Sequence, residues 1–276
     1  MKEKALNRLL FIILLFMALV FIFPVFIVLI NSFKIRFSIA SNPFELPNAD
    51  TFTGLENYTE GIKNTGFFSA FGWSLFITVF SVAAIVIFTS MTAWYITRVK
   101  GFFNNLLYYA LVFSMIVPFQ MVMFTMSKTA NVLGLDNPIG IILIYLGFGA
   151  GLSVFMFSGF IKTVPLGIEE AATIDGCNTF QVFWKVVFPI LKPTAITVAI
   201  LNTMWIWNDY LLPYLVIGND YKTIPIAVQY LKGGYGSVDM GALMAMLVLS
   251  IIPVVIFYLL SQKYIIKGVA SGAVKG

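Results

Sequence analysis

Five stretches of this chain carry no Asp, Glu, Lys or Arg and are long enough to cross a bilayer: 9–30, 71–97, 106–127, 139–161 and 243–262. About 20 apolar residues span the roughly 30 Å of hydrocarbon in a membrane. A sixth stretch, 193–217, qualifies except for Asp209. Inside lipid a backbone must satisfy its own hydrogen bonds, so runs of this length fold as helices. The expectation is an all-α polytopic membrane protein with six transmembrane helices. Composition agrees: 60% of the 276 residues are hydrophobic, 11% are charged, and the mean hydropathy is +0.94.

Six spans place both termini on one side, and Lys and Arg in the loops choose the side. With the N-terminus inside, eleven basic residues face in, among them Arg8, Arg98, Lys100, Lys162, Lys185 and Lys192. Six face out, including Lys34, Arg36 and Lys128. The bias predicts a cell-membrane protein with N- and C-termini in the cytoplasm. It also accounts for the net charge of +5 without a nucleic-acid partner. Residues 1–30 read as a retained first helix, since the apolar run is too long for a signal peptide and no small-x-small site follows it. Residues 31–70 read as an outside loop, ordered by contact with its surroundings. A core at 71–262 follows, then a cytoplasmic tail at 263–276.

The chain has no histidine and one cysteine, Cys177. That removes a His-based triad, a disulfide within the chain and a Cys metal cluster. A membrane enzyme would have to work with acids alone. Pro118 and Pro253 fall inside spans three and six, either as ordinary kinks or as marks of a flexible pathway helix.

The acids cluster in one place. Thr163 to Pro193 joins spans four and five on the inner face and contains "EEAATIDGCNTFQVFWKVVFPILKP". A helix starting near Pro165 would hold Glu169 and Glu170 in its first turns, where the dipole favours acids. Ile168, Ala171 and Ala172 would share a thin apolar face. Asp175 and Gly176 would end it, with Gly in the left-handed cap position. Asn178 and Gln181 have capping-box spacing for a second helix, which Pro189 and Pro193 would terminate. On these grounds two readings stand: a re-entry loop whose acids are solvated, or a docking knob for a partner on the inner side.

The segment Glu170-Ala171-Ala172, three residues, Gly176, nine residues, Val186-x-Phe188-Pro189 resembles the EAA loop of ABC importer permeases. That family's pattern is E-A-A, three residues, G, nine residues, I-x-L-P. Val186 replaces Ile and Phe188 replaces Leu, and both stay apolar. "FTGLENY", "WIWNDYLLP", "TIPIAV" and "QKYIIKGVASGAVKG" also resemble carbohydrate permeases of the maltose-importer type, in particular the shorter six-span subunit. The resemblance covers nearly the whole chain and implies a type I ABC importer permease fold. It further implies that Glu169, Glu170, Ala171, Ala172, Asp175 and Gly176 form coupling helices against a cytoplasmic ATPase. The tail residues Ala273, Val274, Lys275 and Gly276 would reach the ATPase dimer interface; without the resemblance, fraying is the plain reading. The implied partners are a homologous permease, two ATPase subunits, an extracellular solute-binding protein and membrane lipid.

No G-x-x-x-x-G-K-[ST] occurs, so ATP and Mg would be bound by the partner subunits and this chain needs no cofactor of its own. Asp209 is the one ionisable group in the predicted spans, which argues against an ion-coupled carrier. Counted from Pro193 at about 1.5 Å per residue, Asn202 lies roughly 14 Å in and Asp209 roughly 24 Å in. Asn202, Trp205 and Asp209 are spaced to share a face, with Asn208 beside them and Gln120 as a second buried amide on span three. Amide, indole and carboxylate together suit a sugar. Asn202 and Gln120 serve equally as interhelical glue, Trp205 and Trp207 as an interfacial belt, and Asp209 as a bond to the outer loop or to the binding protein. The substrate expected is an oligosaccharide of maltodextrin or raffinose type, with glycerol phosphate as the non-sugar alternative.

Overall fold

A computed structural model describes residues 2–218, 220–231 and 239–273, with side chains in 4, 6–218, 220–231 and 239–264. Among these, every regular element is helical, and the sole β feature is an isolated bridge between Lys34 and Phe52. Five helices are long and apolar enough to cross a membrane, or six if one bent pair counts as a single span. The protein is a multi-pass membrane protein.

The chain divides into two compact units, Met1–Ala70 with Ala227–Val255, and Phe71–Ile226 with Ile256–Gly276. The first begins with α1 (Lys2–Asn31), whose apolar side chains from Leu6 to Leu19 all lie exposed. Residues 31–70 were expected to depend on their surroundings for order. They carry hydrogen bonds of their own and also meet residues further on, the Thr65 hydroxyl donating to the Met246 sulfur at 3.7 Å. Here α2 (Arg36–Ser41) and α3 (Glu56–Thr65) flank the bridge, where the Ile35 N–H donates to the Thr51 carbonyl at 2.9 Å. The Asn57 amide donates to the carbonyls of Ser32 and Lys34, each at 2.9 Å. Lys34 is itself buried, its ammonium donating to the Asn42 carbonyl at 2.9 Å. Burial pulls its pKa below the ordinary lysine value, and Glu45 opposes the shift.

The second unit holds the larger core. Its helices are α4 (Phe67–Arg98), whose first residues precede the unit, α5 (Phe102–Ser114), α6 (Phe119–Val132) and α7 (Pro138–Ile161). Then come α8 (Gly167–Ile174), α9 (Thr179–Val182), a π-helical turn (Phe183–Val187), α10 (Phe188–Asn208) and α11 (Leu211–Ile217). Ile77 and Ile85 of α4, Ile141, Val154 and Phe157 of α7, and Leu191 and Val198 of α10 bury their side chains together. Close approach among these three helices depends on Gly149. A Cβ there would lie 2.6 Å from the Ile85 Cδ1 and 3.0 Å from the Asn202 Oδ1.

Two expected spans and one expected helix end come out differently. Span three is broken: α5 and α6 meet at 107°, and the break contains Pro118, which leads into α6 with extended backbone. Proline disfavours the helical conformation of the residue before it, and here the chain turns. Span five ends early, because α10 stops at Asn208 and Asp209 is extended. Pro189 and Pro193 do not terminate the second amphipathic helix. The π-helical turn precedes them, its Phe188 N–H reaching back to the Phe183 carbonyl, and the helix runs on through both prolines to Asn208. Pro189 falls in the first turn of α10, where a missing N–H is tolerated. After α12 (Ile224–Tyr230), α13 (Met240–Ala273) passes through Pro253 without a break.

Candidate functional site

The local sequence builds the α7–α10 connection as expected. Gly176 has φ of 86°, the left-handed region that a side chain resists, and it turns the chain out of α8. Asn178 then caps α9, its side chain accepting from the Gln181 N–H at 2.9 Å while the Gln181 side chain accepts from the Asn178 N–H at 2.9 Å.

The two adjacent acids of α8 have different surroundings. Glu169 is buried: one oxygen accepts from the Trp94 indole N–H at 2.8 Å, the other from Arg98 Nε at 2.8 Å and Nη2 at 2.6 Å. Arg98 also donates to the Val164 carbonyl at 2.9 Å. Glu170 is exposed, and so are Ala171, Asp175 and Gly176. The predicted apolar face splits. Ala172 packs on the core, whereas Ile168 and Ala171 face outward. Ile174, at 86% exposure, is the most prominent apolar group on that outward face. A cleft of about 550 Å³ runs beside α8, lined by Trp94, Glu169, Glu170, Ile174, Thr179 and Val182 among others.

The pathway candidates separate into groups. Asn202 is buried and donates to Ser153 Oγ at 3.3 Å and to the Val198 carbonyl at 2.8 Å, so its amide joins α10 to α7. Trp205, at 40% exposure, sets its ring edge-on to buried Tyr145, with centroids 5.4 Å apart. Asp209 accepts from the Tyr145 hydroxyl at 3.0 Å and from the Leu211 and Leu212 N–H groups at 3.0 and 3.4 Å. It caps α11 from outside α10, and no longer continues the helical face of Asn202 and Trp205. Asn208 is exposed and donates to the Met204 carbonyl. Gln120, expected to be buried, is exposed in the first turn of α6, displaced by the turn at Pro118.

Trp94, Arg98, Tyr145 and Ser153 were missed as site residues. Arg98 had counted only as a loop charge. For Tyr145 a signal existed, since a phenol within an apolar span needs a partner for its hydroxyl. Ala273 closes α13, and Val274, Lys275 and Gly276 lie outside the described residues.

Residues 85–271 match the family described as "Binding-protein-dependent transport system inner membrane component". The chain belongs to this family. The permease is 40% identical over 261 residues to a probable starch degradation products transport system permease protein of Thermoanaerobacterium thermosulfurigenes, covering 94% of this chain and 93% of that one. It is 36% identical to a multiple sugar-binding transport system permease protein of Streptococcus mutans, with 91% of each chain covered. A melibiose/raffinose/stachyose import permease protein of Bacillus subtilis is 32% identical, over 92% of the permease and 91% of its own length. Among solved structures, a chain of a bacterial ABC transporter involved in import of the acidic polysaccharide alginate superposes with a TM-score of 0.78 at 24% identity, covering 95% of the permease and 97% of that chain. That likeness establishes the ABC importer permease fold. The break at Pro118 and the bent connection before α10 thus belong to a transport subunit.

Proposed function

We propose that the permease is the shorter membrane subunit of a sugar importer that takes oligosaccharides from a binding protein. The observation that carries this reading is its similarity along nearly its full length to permeases named for starch products, multiple sugars and raffinose-type sugars. The geometry supports the mechanical half. Helix α8 presents Glu170, Ala171 and Ile174 outward at the end of a stiff connection closed by Gly176. Small and apolar groups with an acid beside them suit a cleft on a cytoplasmic ATPase.

In this scheme a homologous permease completes the pathway, and two ATPase subunits bind ATP and Mg. Both termini of this chain are cytoplasmic. ATPase closure draws α8 inward, the spans open outward, and the binding protein delivers its sugar. Trp205 and the exposed amides of Asn208 and Gln120 are the pathway groups free to meet it, while Asn202 and Asp209 hold helices together. The test is uptake of labelled maltodextrin and raffinose by cells lacking the permease and by cells in which it is restored. Loss and recovery of either uptake is the expected result. Unchanged uptake of both sugars, with loss of glycerol phosphate uptake, would replace the substrate assignment.

A further inference from the structure

Among the described residues the chain has one salt bridge, Arg98 to Glu169, and it sits between a spanning helix and the segment proposed to meet the ATPase. Both side chains are largely out of solvent, at 18% and 9% exposure. Trp94 and Arg98 lie four residues apart on α4, hence on one helical face. Together they donate three hydrogen bonds to a single carboxylate. Arg98 reaches past it to the Val164 carbonyl, so the last turn of α4 holds both the loop after α7 and α8 itself. The Trp94 ring also packs on Phe183, the first residue of the π-helical turn, with centroids 5.5 Å apart.

We infer that Glu169 is a positioning residue. Held by Arg98 and Trp94, it braces α8 against α4, so that a pull on the outer face of α8 moves the spanning helix and is not absorbed by the loop. The inference rests on the proposed docking of α8 to an ATPase. It assigns Glu169 a role apart from that contact, because its carboxylate is taken up by Arg98 and Trp94, whereas Glu170, Ala171 and Ile174 are the exposed groups of α8. Bonds of this kind are short, charge-assisted and directional, and breaking one partner leaves the other buried without its counter-charge.

The experiment uses the complete transporter, purified with its partner subunits and reconstituted in liposomes with binding protein and maltodextrin. Two quantities are read: ATPase retained on purification, and ATP hydrolysed per sugar moved. Glu169→Gln and Arg98→Ala should each retain the ATPase and raise the ATP hydrolysed per sugar by about tenfold, the scale of a small misplacement in a coupled site. The double variant should be no worse than the worse single one, because one linkage is lost in all three. Trp94→Phe keeps the ring on Phe183, removes one N–H, and should raise the ratio by a smaller factor with normal assembly. An unchanged ratio in all of these, or additive losses in the double variant, overturns the brace. Release of the ATPase by Glu169→Gln also overturns it, since Glu169 would then be a docking contact. Glu170→Lys tests docking separately: if that variant keeps its ATPase, the docking reading fails whatever the Glu169 variants do.

Discussion

Tyr145 of α7 donates a hydrogen bond from its hydroxyl to Asp209 at 3.0 Å, at the point where α10 gives way to α11. The same carboxylate caps α11, so one side chain joins two helices and begins a third. Removing the cap and the bond together has a predictable effect. Asp209→Ala should destabilise the purified transporter by about 1–2 kcal/mol, the size of a lost helix cap. Tyr145→Phe should cost about 1 kcal/mol, a single hydrogen bond. Thermal unfolding of the complex measures both. A normal unfolding midpoint combined with weakened sugar uptake in Asp209→Ala would instead make Asp209 a substrate ligand.

Trp205 is the aromatic group that α10 leaves exposed beside Tyr145. Trp205→Ala should raise the sugar concentration for half-maximal uptake by about tenfold while leaving stability nearly unaltered, because a half-exposed ring contributes modestly to packing. Uptake titrations on cells and unfolding of the purified complex read the two effects. No shift in the uptake titration would leave Trp205 with a packing or interfacial role.

Gly176 holds φ at 86° with open space around its missing Cβ, so a substitution there acts through backbone strain alone. Gly176→Val should cost about 1–2 kcal/mol locally and tilt α8. The expected readout is reduced recovery of the ATPase in pull-downs on the permease, with normal membrane insertion. Full recovery with normal uptake would show that α8 need not leave its helix by this turn.

Gly149 makes the opposite kind of demand, set by space. Gly149→Leu should push Ile85 and Asn202 apart and destabilise the bundle by about 1–3 kcal/mol, as overpacked cores do. A loss in unfolding temperature together with a shorter lifetime in detergent is the measurement. A Leu variant as stable as the parent would mean that α4, α7 and α10 separate freely.

Much of the connection before α10 was legible in the sequence because its signals are local. Gly176 needed only a left-handed cap, and Asn178 with Gln181 needed only the spacing of a capping box. The spans were equally legible, since charge-free length is a property of one stretch at a time. Where the expectation failed, the deciding partner lay far along the chain or in a neighbouring peptide geometry. The direction of Glu169 is set by Trp94 and Arg98, more than seventy residues earlier. Pro118 was expected to kink a span or mark a flexible pathway helix, and Pro189 to end a helix. Yet the chain turns at one, while at the other a π-helical turn lets the helix continue. Asp209 looked like a pathway charge because nothing local revealed Tyr145 as its partner.

The π-helical turn at Phe183–Val187 also sets an angular phase. A π turn accommodates one residue more than the α-helix around it, and each residue of an α-helix advances the next side chain by about 100°. All of α10 is therefore rotated by about that angle from where an uninterrupted helix from Asn178 would aim it. Asn202 meets Ser153, and Trp205 meets Tyr145, only in the rotated setting. Making 183–187 α-helical at unchanged length would leave every helix of the chain in place and still turn the wrong side of α10 toward α7, whereas deleting one residue along with the π turn would keep the facing. The extra residue and the wide turn thus form a matched pair, and neither can be removed alone, in a way that the composition of this stretch does not reveal.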